Sequence, residues 1–373
     1  MIASKSFSEL FDFQNKSKIK AGDGLKNNRG KYPFYTSSNQ LTKSIDEYLY
    51  EKPSLILGTG GLASIHYSNE KFAVSTDCLV ASPKSEYIVY PKFVFHYLSG
   101  NIHLLENGFK GAGLKHISKG YISNLKIPLP IIETQKHIVQ ILDDAAAIRL
   151  KTEQLLKEYD LLTQSIFLDM FGDPVINEKG WQIVDLINLC EKITDGTHQG
   201  PKFIEAGIPF LLVSNIVNNE MNFETKKFIS DAEYKTLTKS TKIEIGDLLY
   251  TSVGSYGNPA IVLDDRKFCF QRHIAHLKPK HSIVNIKFLH AMMSSPIVTR
   301  QADRNAVGAA QKTLNLKVIK AFKVFSPPIV LQNQFAEKIA LIERQKELAK
   351  QELKESEDLF NCLLQKAFKG ELA

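Results

Sequence analysis

Cysteine, tryptophan and long apolar runs are all scarce in this chain. Its 373 residues include four cysteines and one tryptophan. Cys78, Cys190, Cys269 and Cys362 are far apart and form no CxxC pair. That spacing argues against a zinc cluster or a disulfide framework and for buried thiols in a reducing compartment. No apolar run reaches the roughly 18–20 residues that a membrane-spanning helix needs. The opening MIASKSFSELFDFQ carries no hydrophobic signal-peptide core. A cytoplasmic protein is expected.

Catalytic motifs are missing as well. There is no GxxxxGK[ST] phosphate loop, which excludes an ATPase of that type. The turn Gly58-Thr59-Gly60-Gly61 follows a strand-like segment but lacks the GxGxxG spacing, so it reads as a tight strand-end turn. No [ND]PP[YF] motif for amino-methylation of a base is present, and Ser326-Pro327-Pro328-Ile329 reads as a helix entry. His273 and His276 lie three apart, a spacing that points to opposite faces of a strand and does not favour shared metal ligation. The carboxylate pairs Asp143-Asp144 and Asp264-Asp265 read as solvated faces or turns. No nucleophile–base pair stands out.

What is present is basic and repeated. Composition is ordinary for folded protein, with 43% hydrophobic and 23% charged residues, and the length suffices for two or three domains. Net charge is +7, unevenly spread. Residues 1–130 carry 16 basic and 10 acidic side chains, and residues 173–330 carry 20 and 15. The intervening 131–172 carry 4 and 7, and 331–373 carry 7 and 8. Two basic blocks alternate with two slightly acidic ones, and a basic excess is a moderate sign of nucleic acid.

The blocks are copies of one unit. A shift of 197 places Lys115 on Lys312, Lys126 on Lys323, Pro130 on Pro327, Gln135 on Gln332 and Phe171 on Phe368. It also lays Gly111-Ala112 on Gly308-Ala309. Upstream, shifts of 196 and 195 align Lys71-Phe72 with Lys267-Phe268 and Lys92-Phe93 with Lys287-Phe288. A shift of 176 lays Ser38-Asn39 on Ser214-Asn215. Ordered matches with small step changes are what a duplication with loop differences leaves behind.

Each copy ends in a long helix. Ile138, Ile141, Ala145, Ile148, Thr152, Leu155, Tyr159, Leu162 and Ile166 alternate at three and four. Phe335, Ile339, Ile342, Lys346, Ala349, Leu353, Ser356, Phe360 and Leu363 do the same in the second copy. Heptads over about four repeats predict coiled-coil seams, with Lys346 and Ser356 as weak points. Pro128 and Pro130, then Pro327 and Pro328, set the helix entries. Gly172 and Gly370 are the expected stops. Neither helix can bury its stripe alone, so antiparallel pairing of the two is expected, and a plain helical hairpin is the alternative reading. The basic parts read as mixed α/β. Strands are expected at Ser54–Leu57, Asp247–Tyr250, Phe72–Val80 and Phe268–Leu277, with helix-like stretches at Lys92–Leu98 and Lys287–Met293.

Candidate DNA-contacting residues sit in loops of both copies. In the second copy the segment from Thr194 to Pro201 contains Thr197, His198 and Gln199. Ser214, Asn215, Ser255, Tyr256, Gln271, Arg272, Gln311 and Lys312 join it. Asn, Gln and Arg are the side chains that make bidentate contacts with adenine or guanine. In the first copy the candidates are Ser37, Ser38, Asn39, Thr59, Lys110 and Lys115. Thr76-Asp77 stands opposite Arg272-His273, and Leu114 opposite Gln311, so the copies differ where they would read.

These residues carry a resemblance. The stretch from Gly113 to Val139 resembles the first conserved-region boundary of specificity subunits of type I restriction–modification systems. Leu186–Pro201, with its Ile-Thr-Asp-Gly-Thr-His core, resembles the start of that family's target recognition domain. Tyr32 to Ser38, Gly246 to Tyr250, Pro327-Pro328-Ile329 with Gln332, and the tail from Ala367 to Leu372 also fit. The first copy departs from the pattern in having no Asp-Gly-Thr-His loop. The resemblance implies an α/β (α+β) fold with two similar target recognition domains, 1–130 and 173–328. They are separated by two long antiparallel coiled-coil helices, 131–172 and 329–373, in an internal pseudo-twofold repeat. It further implies a non-enzymatic reader of bipartite double-stranded DNA, with the helices as a ruler that docks two adenine-methylating modification subunits. Two ATP-driven restriction subunits can join. No cofactor or metal is expected on this chain, with S-adenosylmethionine, ATP and magnesium on partner subunits. The residues alone leave open a stand-alone DNA-modifying enzyme and a coiled-coil tether without sequence readout.

Overall fold

The computed structural model describes residues 3–26, 29–198, 200–239, 242–309 and 311–369. The expected stop at Gly370, the tail residues Glu371 and Leu372, and Gln199 lie outside the described residues. The chain forms two compact units. One joins the residues up to 154 with those from 350 onward, and the other spans 155–349. Each unit therefore holds one globular part and a stretch of both long helices.

The two globular parts repeat one α/β topology. In the first unit a four-stranded antiparallel sheet runs in the order Phe11–Phe13, Cys78–Pro83, Ser54–Gly58, Ile65–Ser68. In the second the order is Cys190–Asp195, Ile274–Pro279, Leu248–Thr251, Pro259–Ile261. Beside it lies a smaller sheet with one parallel pair, Tyr32–Tyr35 with Ala73–Val74 and Ile208–Leu211 with Cys269–Phe270. Ser54–Gly58 and Leu248–Thr251 are buried along their whole length, as continuous apolar runs covered on both faces must be. The strands expected at 72–80 and 268–277 are each broken in two. The polar turns Ser75-Thr76-Asp77 and Gln271-Arg272-His273 mark where the chain leaves the small sheet for the large one.

Helices cover the sheets, notably Pro91–Gly100 and Ile286–Met293. Three of the four thiols are buried, and burial pushes Cys78 up to about 11 and Cys190 and Cys269 up to about 12. Cys362 is exposed, against expectation, because its position on the second long helix faces away from the seam.

The long helices span Ile132–Phe171 and Ile329–Lys369. Each begins over an identical clamp. Gln135 is fully buried, accepts from the Tyr90 amide at 2.8 Å and donates to the Ile88 and Pro130 carbonyls. Gln332 is fully buried too, accepts from the Asn285 amide at 2.9 Å and donates to the Ile283 and Pro327 carbonyls. Each helix ends on the other repeat's globular part. Phe171 packs edge-on to Phe288 at 4.9 Å in the second unit, and its counterpart Phe368 packs on Phe93 at 5.5 Å in the first. The first helix stops at Phe171 because Gly172 takes a left-handed φ of 78°, its amide bonding the Leu168 carbonyl at 2.7 Å.

Within each unit the two helix stretches run antiparallel. In the first, Arg149 stacks over Phe360. In the second, Lys346 reaches Asp160 at 2.6 Å, an ion pair that accommodates the weak seam position. Ser356 satisfies its hydroxyl on the Leu353 carbonyl. The second helix buries or half-buries every expected seam residue. The first helix differs. Its alternate positions shift by one, so that Leu142, Arg149, Leu156 and Thr163 face inward. Ile148, Leu155 and Leu162 remain on the outside. The spacing starting at Ile138 is thus four then three, which carries the stripe one residue further round the helix.

Candidate nucleic-acid interface

Three loops meet at one edge of each globular part, and their main-chain hydrogen bonds correspond bond for bond. In the first unit the Gly61 amide donates to the Lys115 carbonyl, the Ile117 amide to Thr59, and the Ser75 amide to Tyr35. In the second the Gly254 amide donates to Lys312, the Leu314 amide to Ser252, and the Gln271 amide to Leu211. Bridges Gly60 with His116 and Val253 with Thr313 repeat the pattern. The scaffold of these three loops is therefore the same at backbone level, while the side chains it presents differ.

In the first unit all six candidates lie on these loops. Lys110 and Lys115 are exposed, Lys110 pairing opposite His116 in a short hairpin. Ser38 and Asn39 are exposed, and Ser37 is half-buried, its carbonyl accepting from the Ser64 hydroxyl. Thr59 turns its hydroxyl to the Asp77 carbonyl at 2.9 Å and so braces the turn. The position of the missing Asp-Gly-Thr-His loop is filled by another segment. The Thr76 amide donates to Ile19 as the Arg272 amide donates to Thr197. That bond places exposed Lys18 and Lys20 where the second unit has its Thr197–His198 loop. Sequence reasoning missed them, although Lys16, Lys18 and Lys20 form a visible basic alternation.

In the second unit Thr197 and His198 meet Gln271 and Arg272. Thr197 bridges Gln271, and exposed His198 bonds Asp195 at 2.9 Å. Gly196 is required at this crossing, since a Cβ there would fall 2.2 Å from the Phe270 carbonyl. Arg272 is exposed, its Nε donating weakly to His273 at 3.4 Å. Ser255, Gln311 and Lys312 are exposed around Gly254, with the Gln311 amide nitrogen lying over it. Tyr256 is half-buried and donates its hydroxyl to Asp303 at 2.7 Å. Ser214 is exposed beside this edge. Asn215 is corrected from reader to brace. It is 3% exposed, accepts from the Leu212 amide and donates both amide hydrogens, to Asn222 and Glu224, so it is buried with no donor left for a base.

Beneath the Thr194–His198 loop lies a hollow of about 340 Å³, lined also by Thr236, Thr238, Cys269 and His276. His276 is a buried member of a polar cluster that reaches the surface at Glu244. It bonds Asp247 at 2.7 Å, and Lys278 bonds both Asp247 at 3.1 Å and Glu244 at 2.9 Å. Burial pushes the Asp247 carboxyl up, but bonds from His276, the Glu244 amide and Lys278 outweigh it and hold it below the usual carboxylate range. Asp143 is likewise no solvated face, for it binds Lys92 at 2.6 Å and His96 at 3.2 Å. Asp264 does cap a turn, accepting from the Arg266 amide. Among the described residues no three His, Cys, Asp or Glu side chains gather to hold a metal, and no helix is long and apolar enough to cross a membrane.

A duplicated α/β scaffold offering polar and basic loop edges defines a class of paired recognition domains. The model of the type I restriction modification DNA specificity domain matches residues 3–158 and again 178–357, and the chain belongs to that family. The EcoBI specificity subunit of Escherichia coli is 26% identical, over 95% of this chain and 79% of the relative. The MjaVIII specificity subunit of Methanocaldococcus jannaschii is 23% identical, over 82% and 76%. The crystal structure of a type I restriction–modification S subunit from M. genitalium shares the fold, with a TM-score of 0.65 at 15% identity over 98% of this chain and 96% of that one. A chain from a study of complex assembly and conformational transition in a type I system gives 0.57, covering 99% and 98%.

Proposed function

We propose that the chain is a non-catalytic specificity subunit whose two loop edges each read one part of a bipartite double-stranded DNA target. The observation that carries this is the bond-for-bond identity of the two loop scaffolds combined with different exposed side chains. Such a pair can bind one duplex twice and read two different half-sequences. Lysines at both edges suit phosphate, which supplies much of the affinity, while Gln and Arg suit base edges. The helix entries and the stop at Gly172 support domain limits near residues 130, 172 and 328 in this reading.

The long helices dock the modification subunits in this reading. Ile148, Leu155 and Leu162 form an outward apolar stripe at seven-residue spacing on the first helix, as Leu341 and Leu348 do on the second. Exposed apolar residues repeated along a helix face suit contact with a protein partner. Methyl transfer with S-adenosylmethionine, and any ATP- and magnesium-dependent cleavage by restriction subunits, then belong to partners.

The test co-expresses the chain with its modification subunit and maps methylated adenines. A split target is expected, and the chain alone should neither methylate nor cut DNA. Arg272→Ala should cost about 1–3 kcal/mol of binding and relax one base position, whereas Lys312→Ala should weaken all sequences alike and reduce the salt slope by about one. Turnover by the isolated chain, or a continuous target, refutes the proposal.

A further inference from the structure

The two edges differ most where the scaffold is most alike. Leu62 follows Gly61, and Leu114 precedes Lys115, the two residues joined by the loop hydrogen bond. By that same bond their counterparts are Ser255 and Gln311. Leu62 is 84% exposed and Leu114 71% exposed. Two large leucines at the tips of adjoining turns gain nothing in the free chain, since neither is covered. Around them stand Lys110, Lys115 and His116, all exposed. An apolar tip inside a basic rim fits a surface that is anionic at its margin and apolar at one point.

We infer that Leu62 and Leu114 read thymine 5-methyl groups in the major groove of the first half-site, where Ser255 and Gln311 hydrogen-bond base edges in the second. The inference rests on the loop edges being the DNA-reading surface. The thymine methyl is the apolar group that an undeformed duplex displays in its major groove, and apolar side chains contact it there. Gln is suited to adenine and Ser to several bases, so one scaffold with these two substitutions gives two different readouts. The tips are held rigidly, because the turn carrying Leu62 is tied at Gly60 to His116 and at Gly61 to Lys115.

The experiment uses the complex of the full chain with its modification subunits. The methylated sequence is mapped first, and the half-site set by residues 1–130 is identified by exchanging that segment for a relative's. Binding is then measured on duplexes in which each thymine of that half-site is replaced in turn by uracil, which removes only the methyl group. One or two positions should weaken binding about fourfold, the value of roughly 0.8 kcal/mol for one buried carbon. That loss should vanish in Leu62→Ser/Leu114→Gln, whose substitutions are exposed and leave the core untouched. Uracil without effect, or an effect unchanged in the double variant, overturns the inference, as does a half-site with no thymine on either strand. A leucine-dependent rise of 2-aminopurine fluorescence beside the half-site would mark a base-unstacking wedge and overturn it too. If exchanging residues 1–130 changes no half-site, the reading of the edge itself fails, a separate result from failure of the leucines.

Discussion

In the first repeat the buried hydroxyls of Ser54 and Ser82 share a 2.8 Å hydrogen bond across the central sheet. In the second repeat the equivalent strand positions hold Asp247 and Lys278, which pair directly at 3.1 Å, and buried His276 also bonds Asp247. Around these sites the two units agree down to single hydrogen bonds, including the Gln135 and Gln332 clamps. The difference teaches how a duplicated fold diverges. Backbone bonds, glycine turns and helix entries must be kept by both copies. A buried pair can change from neutral to charged provided its partners change with it, because an unpaired buried charge costs far more than one whose partner and hydrogen bonds are kept.

The largest expected effect breaks this difference directly. Asp247→Ala leaves buried His276 without its hydrogen-bond partner and Lys278 with Glu244 alone, and should destabilise the second unit by about 3 kcal/mol. Ser54→Ala should cost the first unit only about 1 kcal/mol. Thermal unfolding of the two variants, with proteolysis to show which unit opens, measures both. Next, Gln135→Ala and Gln332→Ala each strand buried backbone groups and should cost about 2–3 kcal/mol apiece. Equal losses would confirm a shared clamp, and a twofold disparity would contradict it.

Acid should separate the repeats in two stages. Burial lowers the pKa of His96 in the first unit, partly offset by Asp143, and burial also lowers that of His290 in the second. Both histidines are stable as neutral rings above their ordinary value of about 6.5, and both units should lose stability together as pH falls below it. Asp247, held below its ordinary value of 3.8, contributes stability that is present above that value and lost as pH falls through its folded pKa. Below about pH 4 the second unit should therefore weaken further, while the serine pair of the first unit adds no such loss. Hydrogen exchange across that range would follow the two units separately. The smallest effect concerns the helices. Ile148→Ser and Leu155→Ser should change the stability of the isolated chain by no more than about 0.5 kcal/mol, yet weaken capture of a modification subunit in co-purification.

The duplication was legible because Gln135 and Gln332, or Phe171 and Phe368, do the same structural work in both copies and so keep their identity. The second helix seam was legible for a related reason, since its outer positions are mostly polar. The first was ambiguous. Ile141-Leu142 and Leu155-Leu156 offer apolar residues at both candidate phases, and only packing against the second helix chooses between them. Residue type also misled at Asn215, because an asparagine suited to adenine looks the same whether or not its amide is already satisfied. Lys18 and Lys20 escaped notice because their segment shares no residues with the Thr-His loop. Only the backbone bond from Thr76 to Ile19 aligns them.

The central claim is that each repeat specifies its own half of the target. Residues 1–130 are exchanged for those of a family member of different specificity, the chimera is expressed with its modification subunit, and every methylated adenine in the host DNA is mapped. One half-sequence should change to that of the donor, with the other half and the spacer retained. A change in both halves, or in neither, would contradict the claim.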